Sequence, residues 1–402
     1  MRADAADKAR EGLAELHSAP PSGAYFYMDA MRALFALAVA FAHLWALLIR
    51  DYQTTTNLLV QAAYFAAGFG HQAVILFFVL SGYWITGSVA RNAAQGWSWR
   101  SYLIDRLSRL LIVLVPILIL GGILDAVGVF VLQSPTHLDQ TGAYVMRKDV
   151  AADLSPLVLL GNLAFLQFMV PAFGTNGPLW SLSYEFWFYI WFPTFWLLIR
   201  RRQLSLGILS FAFAWFVPAL AFGFLSWLCG SAAYRLTGWA RRTFKPNRVQ
   251  AAALLAATAA ALLAWLLFAR FSVGTWRDPV LALLFALFLL ALIVVNPRPL
   301  DLLRPAAAYG AAASFSLYAT HFPVMAFAVA LSIGADRLAP DADAIAIVAA
   351  ILFGSLAIAR LFARHTEART PQLRRWLDSV VPLQIAGRAA TDATAARRAE
   401  PE

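Results

Sequence analysis

The sequence predicts an all-α, polytopic integral membrane protein: a helical bundle with about ten transmembrane helices and both termini in the cytoplasm. Of its 402 residues, 61% are hydrophobic and only 13% are charged, about half the charged share of a soluble domain. The apolar residues fall in segments of about 20, the length that crosses a bilayer. Lys and Arg residues concentrate in alternate connections, as in loops that stay in the cytoplasm.

Hydropathy along the chain places the spans in order, with short connections between most of them. The predicted spans are Met28–Ile49, Gln72–Ala90, Leu107–Leu132, Pro178–Ile199, Leu204–Val217, Ala219–Leu236, Val249–Ala269, Pro279–Val295, Ala306–Ser332 and Ala344–Phe362. A further apolar stretch, Pro156–Val170, is shorter than a span requires. We expect that stretch to be short or re-entrant and not to cross the bilayer.

The two ends of the chain are polar. Residues 1–24 mix both charge signs and contain two prolines, whereas a secretory signal has a basic stretch directly before a short apolar core. We therefore predict a cytoplasmic N-terminal tail at 1–24 and a transmembrane domain at 25–376. The Ala/Arg-rich remainder, 377–402, is predicted to be a disordered cytoplasmic tail.

The distribution of Lys and Arg residues supports this topology. With the N-terminus inside, 25 of the 32 fall on the inner side and six on the outer side, and Arg32 lies within the first span. The six outer residues are Arg50, Arg147, Lys148, Arg270, Arg277 and Arg337. Such a bias is typical of cytoplasmic loops. The preference for Arg over Lys and the Ala richness indicate a bacterial genome, so the predicted location is the inner membrane.

Composition also excludes several kinds of site. The net charge of +10 would suggest nucleic acid in a soluble protein, but here the basic residues lie in loops, so no nucleic-acid partner is expected. Cys229 is the only cysteine, which excludes an intrachain disulfide and a cysteine metal cluster. There is no His-Glu-x-x-His pattern, nucleophile elbow or phosphate-cradling Gly-rich loop, so we predict neither a metal nor a permanently bound cofactor.

The first span carries three ionisable residues, and such groups are costly inside a bilayer. Asp29 and Arg32 are three residues apart, which allows them to pair on one helix face. Arg32 and His43 are about three turns apart, so they share a face at a separation of about 16.5 Å along the axis. In the alternative reading, Asp29 and Arg32 reach the interface and His43 satisfies a carbonyl of a neighbouring helix.

The fourth span begins with the polar stretch Asn176-Gly-Pro-Leu-Trp-Ser-Leu-Ser-Tyr-Glu185. Glu185 lies about two turns into the span. Because a buried carboxylate needs a partner, we expect a histidine or an arginine of another helix beside it. The structural alternative is a hydrogen bond between helices. Ser181 and Ser183 are candidate substrate contacts.

The ninth and second spans carry further polar positions. The ninth contains Tyr318, His321 and Pro323, and the proline is expected to kink the helix and free a carbonyl. The second contains the pair Ser81-Gly82, which is typical of close helix packing. His71 precedes the second span, either at the rim of a site or in a solvated loop.

Together these stretches resemble the acyltransferase family 3 membrane proteins, which include O-antigen and other polysaccharide O-acetyltransferases and Nod-factor modifying enzymes. The resemblance covers the chain from Asp29 to about Pro371. It rests, in order, on the spacing of Arg32 and His43, on Phe77–Tyr83, on the paired Arg106 and Arg109, on Pro178–Tyr189, on Ser314–Pro323 and on Glu367 before Pro371. The chain departs from the family pattern where Phe186 and Trp187 replace a second Glu and a Gln.

The resemblance implies an O-acyltransferase that uses cytoplasmic acyl-CoA, most simply acetyl-CoA, as its co-substrate. The acceptor is a hydroxyl at the outer face, on a cell-surface glycan, a glycolipid or a small exported molecule. His43 is the expected general base, and Glu185 and His321 are expected to orient it or to stabilise an oxyanion. Arg106 and Arg109 are expected to bind the CoA phosphates. The remaining predicted substrate contacts are Asp29, Arg32, Ser181, Ser183 and Tyr318.

Two other functions stay open on the sequence alone. One is a secondary transporter of an anion or a sugar, although neither an internal repeat nor paired broken helices support it. The other is a conduit that passes acyl groups to a partner enzyme. Within the enzyme hypothesis, a covalent acyl-enzyme on Ser181 or Ser183 is an alternative to direct transfer.

Overall fold

The computed structural model describes residues 22–146, 149–201, 217–271 and 276–380, and these residues form helices and loops. The helices are α1 (Ser22–Leu48), α2 (Leu58–Ala67), α3 (Gly70–Ala94), α4 (Trp99–Ala126), α5 (Val150–Asp153), α6 (Pro156–Leu163), α7 (Trp180–Arg201), α8 (Pro218–Thr243), α9 (Arg248–Arg270), α10 (Arg277–Val295), α11 (Arg304–Ala311), α12 (Ser314–Ala330), α13 (Ala342–His365) and α14 (Thr370–Val380). The predicted all-α class is therefore confirmed for the described residues.

Polar side chains mark the starts of several helices. Asn57 accepts hydrogen bonds from the first main-chain N–H groups of α2, and Asp341 does the same for α13. Asn247 and Gln250 form a reciprocal capping box at the start of α9. These oxygens satisfy N–H groups that have no partner within the helix. The helices thus begin where the sequence supplies a capping residue.

Six of the described helical segments are long and apolar enough to cross a membrane, and a bent pair would make a seventh. The count of ten predicted spans is therefore not confirmed. Helices α7 and α8 exist where the fourth and sixth spans were predicted, but neither is among the six segments. The fifth predicted span, Leu204–Val217, lies outside the described residues apart from its last position.

The ninth span is not the single kinked helix that was predicted. The chain bends by 59° between Asp301–Ala311 and Ser314–Ala330. Helix α12 then continues through Pro323. The break lies at Ala312 and Ala313, directly before the polar stretch of α12, and a kink at Pro323 stays a prediction.

The apolar stretch at 156–170 is short, as predicted. Helix α6 ends at Leu163, and Phe165 follows it with a φ of 58°. Eight helical residues extend only about 12 Å, less than half of a bilayer core. The main-chain carbonyl of Phe165 accepts hydrogen bonds from Ser183 and Trp187 of α7. This segment therefore supports α7 through two hydrogen bonds.

Helix α1 lies at the centre of the part of the bundle that carries the candidate site. It packs against α3, α11 and α12. The chain approaches closely where α3 meets α8: a Cβ added at Gly82 would fall on the main-chain oxygen of Trp227. The Ser81-Gly82 pair therefore does allow close helix packing, as the sequence predicted. Gly230 of α8 makes the reciprocal approach to Val79.

We name each of the two ends of the bundle by one arginine. The Arg106 end carries the start of α1 and α4 and the end of α13. The Arg270 end carries the end of α1, of α9 and the start of α10. Along the chain, the first described helix begins at Ser22 and the last ends at Val380.

Candidate active site

Two histidines from different helices meet in the bundle. Nδ1 of His43 on α1 lies 2.9 Å from Nε2 of His321 on α12. The rings are nearly parallel, with 20° between their planes. His321 is fully buried, and His43 retains some exposure. The intramembrane imidazoles that the sequence singled out therefore form one unit.

The partners of His321 determine where the protons lie. Its Nδ1 is 2.7 Å from the carbonyl of Tyr318 and 3.2 Å from that of Leu317. A carbonyl only accepts, so Nδ1 of His321 carries the proton and Nε2 of the neutral ring carries a lone pair. That lone pair accepts the proton on Nδ1 of His43. Nε2 of His43 is then the nitrogen that remains free to take a proton.

Arg32 and His43 contact the same neighbouring helix. Arg32 donates to Ser314 Oγ of α12 at 3.4 Å, and His43 meets His321 two turns further along α12. Arg32 also pairs with Asp29 at 3.3 Å. The two residues therefore share a face of α1, as their spacing predicted, and that face lies toward the bundle.

A cavity of about 420 Å³ opens at the Arg106 end. We call it the Arg106 cavity. Its polar and charged lining comes from five helices, and the residues are Asp29, Arg32, Ser81, Ser88, Arg91, Asp105, Arg106, Arg109, Ser181, Glu185, Tyr189, Ser314 and Tyr318. Four arginines and three carboxylates therefore face one space. The volume is within the usual range for a site that binds a small organic molecule.

Arg106 is held in place at the wall of this cavity. Its guanidinium pairs with Asp105 at 2.7 Å and lies 5.9 Å from the ring centroids of Tyr102 and Tyr189. Asp105 also pairs with Arg374 of α14 at 2.6 Å. A guanidinium fixed in this way presents its remaining N–H groups in a defined direction, which suits a phosphate ligand.

Glu185 lies on the wall of the Arg106 cavity, away from the histidine pair. Its Oε1 accepts hydrogen bonds from Ser81 and Tyr189, both at 2.5 Å. The expectation of a histidine or arginine partner is therefore not met, and His321 occupies the place beside His43. Glu185 is one turn beyond Ser181 on α7, which carries it toward the Arg106 end. Its contacts match the structural alternative, an interhelical hydrogen bond.

Tyr318 stands at the inner end of the Arg106 cavity. Its hydroxyl donates to the carbonyl of Pro178 at 2.8 Å and lies 2.5 Å from Ser181 Oγ. Ser181 Oγ lies 3.4 Å from the same carbonyl, so its proton goes to the tyrosine oxygen or to that carbonyl. Among the described residues, no histidine or carboxylate accepts a hydrogen bond from Ser181. Ser183 donates instead to the carbonyl of Phe165 and lines neither this cavity nor the one described next.

A second cavity, of about 490 Å³, opens at the Arg270 end. We call it the Arg270 cavity. His43 lines it, and Tyr318 and Val74 line both cavities. The two spaces therefore approach each other from opposite ends of the bundle, and Tyr318 and Val74 lie between them. At the mouth of the second cavity lie Arg50, Asp51, Tyr52, Tyr64, His71, Arg270 and Arg337.

Most of the predicted site residues come together around these cavities. Those on the Arg106 cavity are Asp29, Arg32, Arg106, Arg109, Ser181, Glu185 and Tyr318. His43 lies on the Arg270 cavity with His321 behind it, so only Ser183 is placed elsewhere. His71, left between rim and loop by the sequence, is on the rim and contacts Asp278 at 3.0 Å.

Two groups of ionisable residues were not predicted from the sequence. The arginines at the mouth of the Arg270 cavity were included in the count of outer basic residues. The sequence did not indicate that they lie close together. Asp125, near the end of α4, and His137 are both fully buried, with 3.5 Å between Oδ1 and Nε2. Thr175 donates to both oxygens of Asp125. The rule that flags ionisable residues in spans would have found Asp125.

Comparison with known proteins gives one match. The model of the acyltransferase family 3, described as an acyltransferase domain, matches residues 25–364. Searches of the curated proteins and of the solved structures each gave no match. The matched range contains the histidine pair and both cavities. The chain belongs to acyltransferase family 3, and it is a multi-pass membrane protein of that family.

Proposed function

We propose that this protein transfers an acyl group, in the simplest case acetyl, from cytoplasmic acyl-CoA to a hydroxyl of a sugar-containing cell-surface or exported acceptor. The observation that carries the proposal is the approach of two cavities from opposite ends of the bundle, with Tyr318 on both linings and His43 on one. One cavity is rich in arginine and the other reaches the opposite end of the bundle. A donor and an acceptor supplied from opposite sides can therefore react at one point.

The donor enters from the Arg106 end, which is the cytoplasmic end in the topology predicted from the basic residues. CoA carries several phosphates, and Arg106 and Arg109 line the entrance to the cavity. Charge-assisted hydrogen bonds from these guanidinium groups hold the phosphates. The thioester arm then extends between Ser81 and Ser181 toward Tyr318. Arg32 lies on the same wall and contributes to the field that attracts the anionic donor.

The acceptor enters from the Arg270 end and presents its hydroxyl to His43. Nε2 of His43 takes the hydroxyl proton while the oxygen attacks the thioester carbonyl. The tetrahedral intermediate then expels the CoA sulfur, the C–S bond breaks, and the imidazolium returns the proton to the thiolate. The products are an ester and free CoA. Atoms and charge balance without a metal, an oxidant or a covalent enzyme intermediate.

His321 acts as a positioning residue in this scheme. It accepts the Nδ1 proton of His43, which fixes the tautomer that leaves Nε2 available as the base. Its own Nδ1 is anchored to main-chain carbonyls of α12. Triad enzymes give this task to a carboxylate. Here a second imidazole takes that place, since Glu185 is bonded to Ser81 and Tyr189.

The direct test uses full-length protein in liposomes with radiolabelled acetyl-CoA on one side only. A membrane extract from the source organism, deprived of its own acyl groups by mild base, supplies the acceptor. We expect label to enter the extract, with release of free CoA, when acetyl-CoA is on the Arg106 side. Label movement without CoA release would indicate a transporter. Transfer that requires an added second protein would indicate a conduit.

A further inference from the structure

We propose that the acceptor carries an anionic oxygen group, a carboxylate or a phosphate, next to the hydroxyl that is acylated, and that Arg50, Arg270 and Arg337 bind it. The inference rests on the proposed function and narrows its acceptor class. These arginines surround the mouth of the cavity that contains His43 at its base. An acceptor held there by its anionic group places a nearby hydroxyl toward the imidazole.

The distribution of charge along the chain makes this cluster unusual. Loops on the outer side of a membrane protein are poor in Lys and Arg, and only six such residues fall there in the predicted topology. Three of the six line one cavity. Among the described residues of that lining the single carboxylate is Asp51, so these residues carry an excess of two positive charges. A cavity of this kind attracts anions and repels cations.

Arg270 is the best placed of the three to bind a ligand. Its Nε is buried and has no hydrogen-bond partner within the described residues. One of its terminal nitrogens donates to the carbonyl of Tyr64 at a long 3.4 Å. Because Nε lies buried against Gly68, a ligand oxygen in the cavity accepts from the terminal N–H groups of Arg270. No acidic side chain of the described residues pairs with Arg270.

Gly68 provides the space for that guanidinium. A Cβ added at Gly68 would lie 1.7 Å from Nε of Arg270 and 2.0 Å from its Cζ. The φ of Gly68 is −83°, which any residue adopts, so conformational freedom does not explain a glycine here. The absence of a side chain lets the guanidinium lie flat against the backbone at the wall of the cavity.

The other two arginines are fixed to the main chain. Arg337 donates to the carbonyls of Ala46 and Ile49 at the end of α1, and it pairs with Asp51 at 2.9 Å. Arg50 donates from Nε to the carbonyl of Arg337 at 2.7 Å. Both side chains are therefore held at the rim by contacts that leave further N–H groups for a ligand.

Aromatic groups on the same lining suit the sugar part of such an acceptor. Trp45 and Trp180 line the cavity together with Tyr52 and Tyr64, and Tyr64 packs edge-on against both Trp45 and Tyr52. Sugar rings present apolar C–H faces that pack on aromatic rings. The lining therefore combines surfaces for a sugar ring with guanidinium groups for an acid, and these groups together select an acidic glycan unit.

The test compares three probes that share a glucose ring: methyl β-D-glucoside, methyl β-D-glucuronide and glucose 6-phosphate. Binding to the full-length protein in a phosphate-free maltoside detergent is measured by saturation-transfer difference NMR, with excess CoA occupying the Arg106 cavity. We expect the two anionic probes to bind at least about tenfold more tightly than the neutral one. The preferred anion identifies the group as a carboxylate or a phosphate.

Two variants test whether the proposed residues cause the tighter binding of the anionic probes. Arg270→Gln is expected to reduce the ratio of the anionic-probe affinity to the neutral-probe affinity to below about threefold. Gly68→Ala, which keeps every charge but displaces the guanidinium, is expected to reduce it as well. Arg277→Gln is the matched control, because Arg277 lies at the same end, packs over Phe268 and Trp276, and does not line the cavity. That variant is expected to keep the wild-type preference.

Several results would overturn the proposal. They are equal binding of neutral and anionic probes, binding of none of the three, and equal loss in Arg270→Gln and Arg277→Gln. Repetition in phosphatidylglycerol nanodiscs separates the two sources of an anion. If the preference for anionic probes is lost in these nanodiscs but present in detergent, a lipid phosphate occupies the arginines. The assignment of the site to the acceptor is then wrong.

Release of CoA from acetyl-CoA is followed in the same samples to separate this inference from the proposed function. An anion preference in binding without any CoA release supports the anionic site and counts against acyl transfer. CoA release that is stimulated equally by the charged and neutral probes supports acyl transfer and overturns the anionic acceptor. The two proposals therefore fail in different ways.

Discussion

His321 accepts a hydrogen bond from His43 while donating its own proton to main-chain carbonyls one turn earlier on α12. The direction of this chain follows from the carbonyls, which cannot donate. It assigns the free lone pair to Nε2 of His43, a residue of the Arg270 cavity. The arrangement links a local feature of one helix to the protonation state of a residue on another.

Replacement of His321 tests this link. His321→Ala is expected to lower kcat by about 10²-fold or more, because His43 loses the acceptor that fixes its tautomer. The KM for acetyl-CoA is expected to stay near the wild-type value, since His321 does not line the Arg106 cavity. His321→Gln, whose carbonyl oxygen can accept from His43, is expected to recover part of kcat. Equal loss in both variants would indicate that His321 has only a packing role.

Arg106 is predicted to act on the donor alone. Arg106→Gln removes a guanidinium that faces the cavity and is expected to raise the KM for acetyl-CoA about tenfold, with kcat nearly unchanged. The control is Arg304→Gln, because Arg304 is exposed at the same end and pairs with Asp301 at 2.7 Å. A similar rise in KM in both variants would show a general effect of surface charge.

Ser181 is predicted not to form an acyl-enzyme. Its hydroxyl contacts Tyr318 and the carbonyl of Pro178, and no histidine or carboxylate of the described residues accepts from it, so the hydroxyl is not activated. Ser181→Ala is expected to keep kcat/KM within about threefold, or about 0.7 kcal/mol, of the wild type. Intact-protein mass spectrometry after rapid mixing with acetyl-CoA checks the same point. An acetyl adduct on Ser181 would contradict the direct mechanism.

The contact between α3 and α8 predicts a stability effect that is separate from the chemistry. Gly82→Ala places a methyl group on the main-chain oxygen of Trp227, and overpacking of this kind costs about 1–3 kcal/mol. The free energy of unfolding in mixed detergent micelles is the quantity to compare. Gly354→Ala is the control, because nothing lies within 4 Å of a Cβ at that glycine. Equal stability of the two variants would mean that α3 and α8 can separate without loss.

The sequence predicted those features that depend on one helix at a time. The shared face of Arg32 and His43 follows from helical periodicity, and their contacts with Ser314 and His321 agree with it. The pairing of Asp29 with Arg32 is equally local. Features that depend on how helices pack were missed. Glu185 accepts hydrogen bonds from hydroxyl groups and has no charged partner among the described residues, because its turn of α7 faces α3 and not α12.

The cavity at the Arg270 end was also missed because it depends on how helices pack. Arg50, Arg270 and Arg337 are far apart in the sequence and come from three connections, so topology counting found them without indicating that they meet. The bend at Ala312 and Ala313 also has no proline at the break. Pro323, the local signal in the sequence, lies inside α12 and not at the break.

The most direct measurement of the central claim is acetyl transfer by His43→Ala in liposomes, with His365→Ala as its matched control. His365 is exposed at the end of α13 and lines neither cavity. We predict that His43→Ala loses transfer by a factor of about 10²–10⁴ while still binding CoA, because the general base is gone and the Arg106 cavity is intact. His365→Ala should match the wild type. Undiminished transfer by a folded His43→Ala protein would contradict the account.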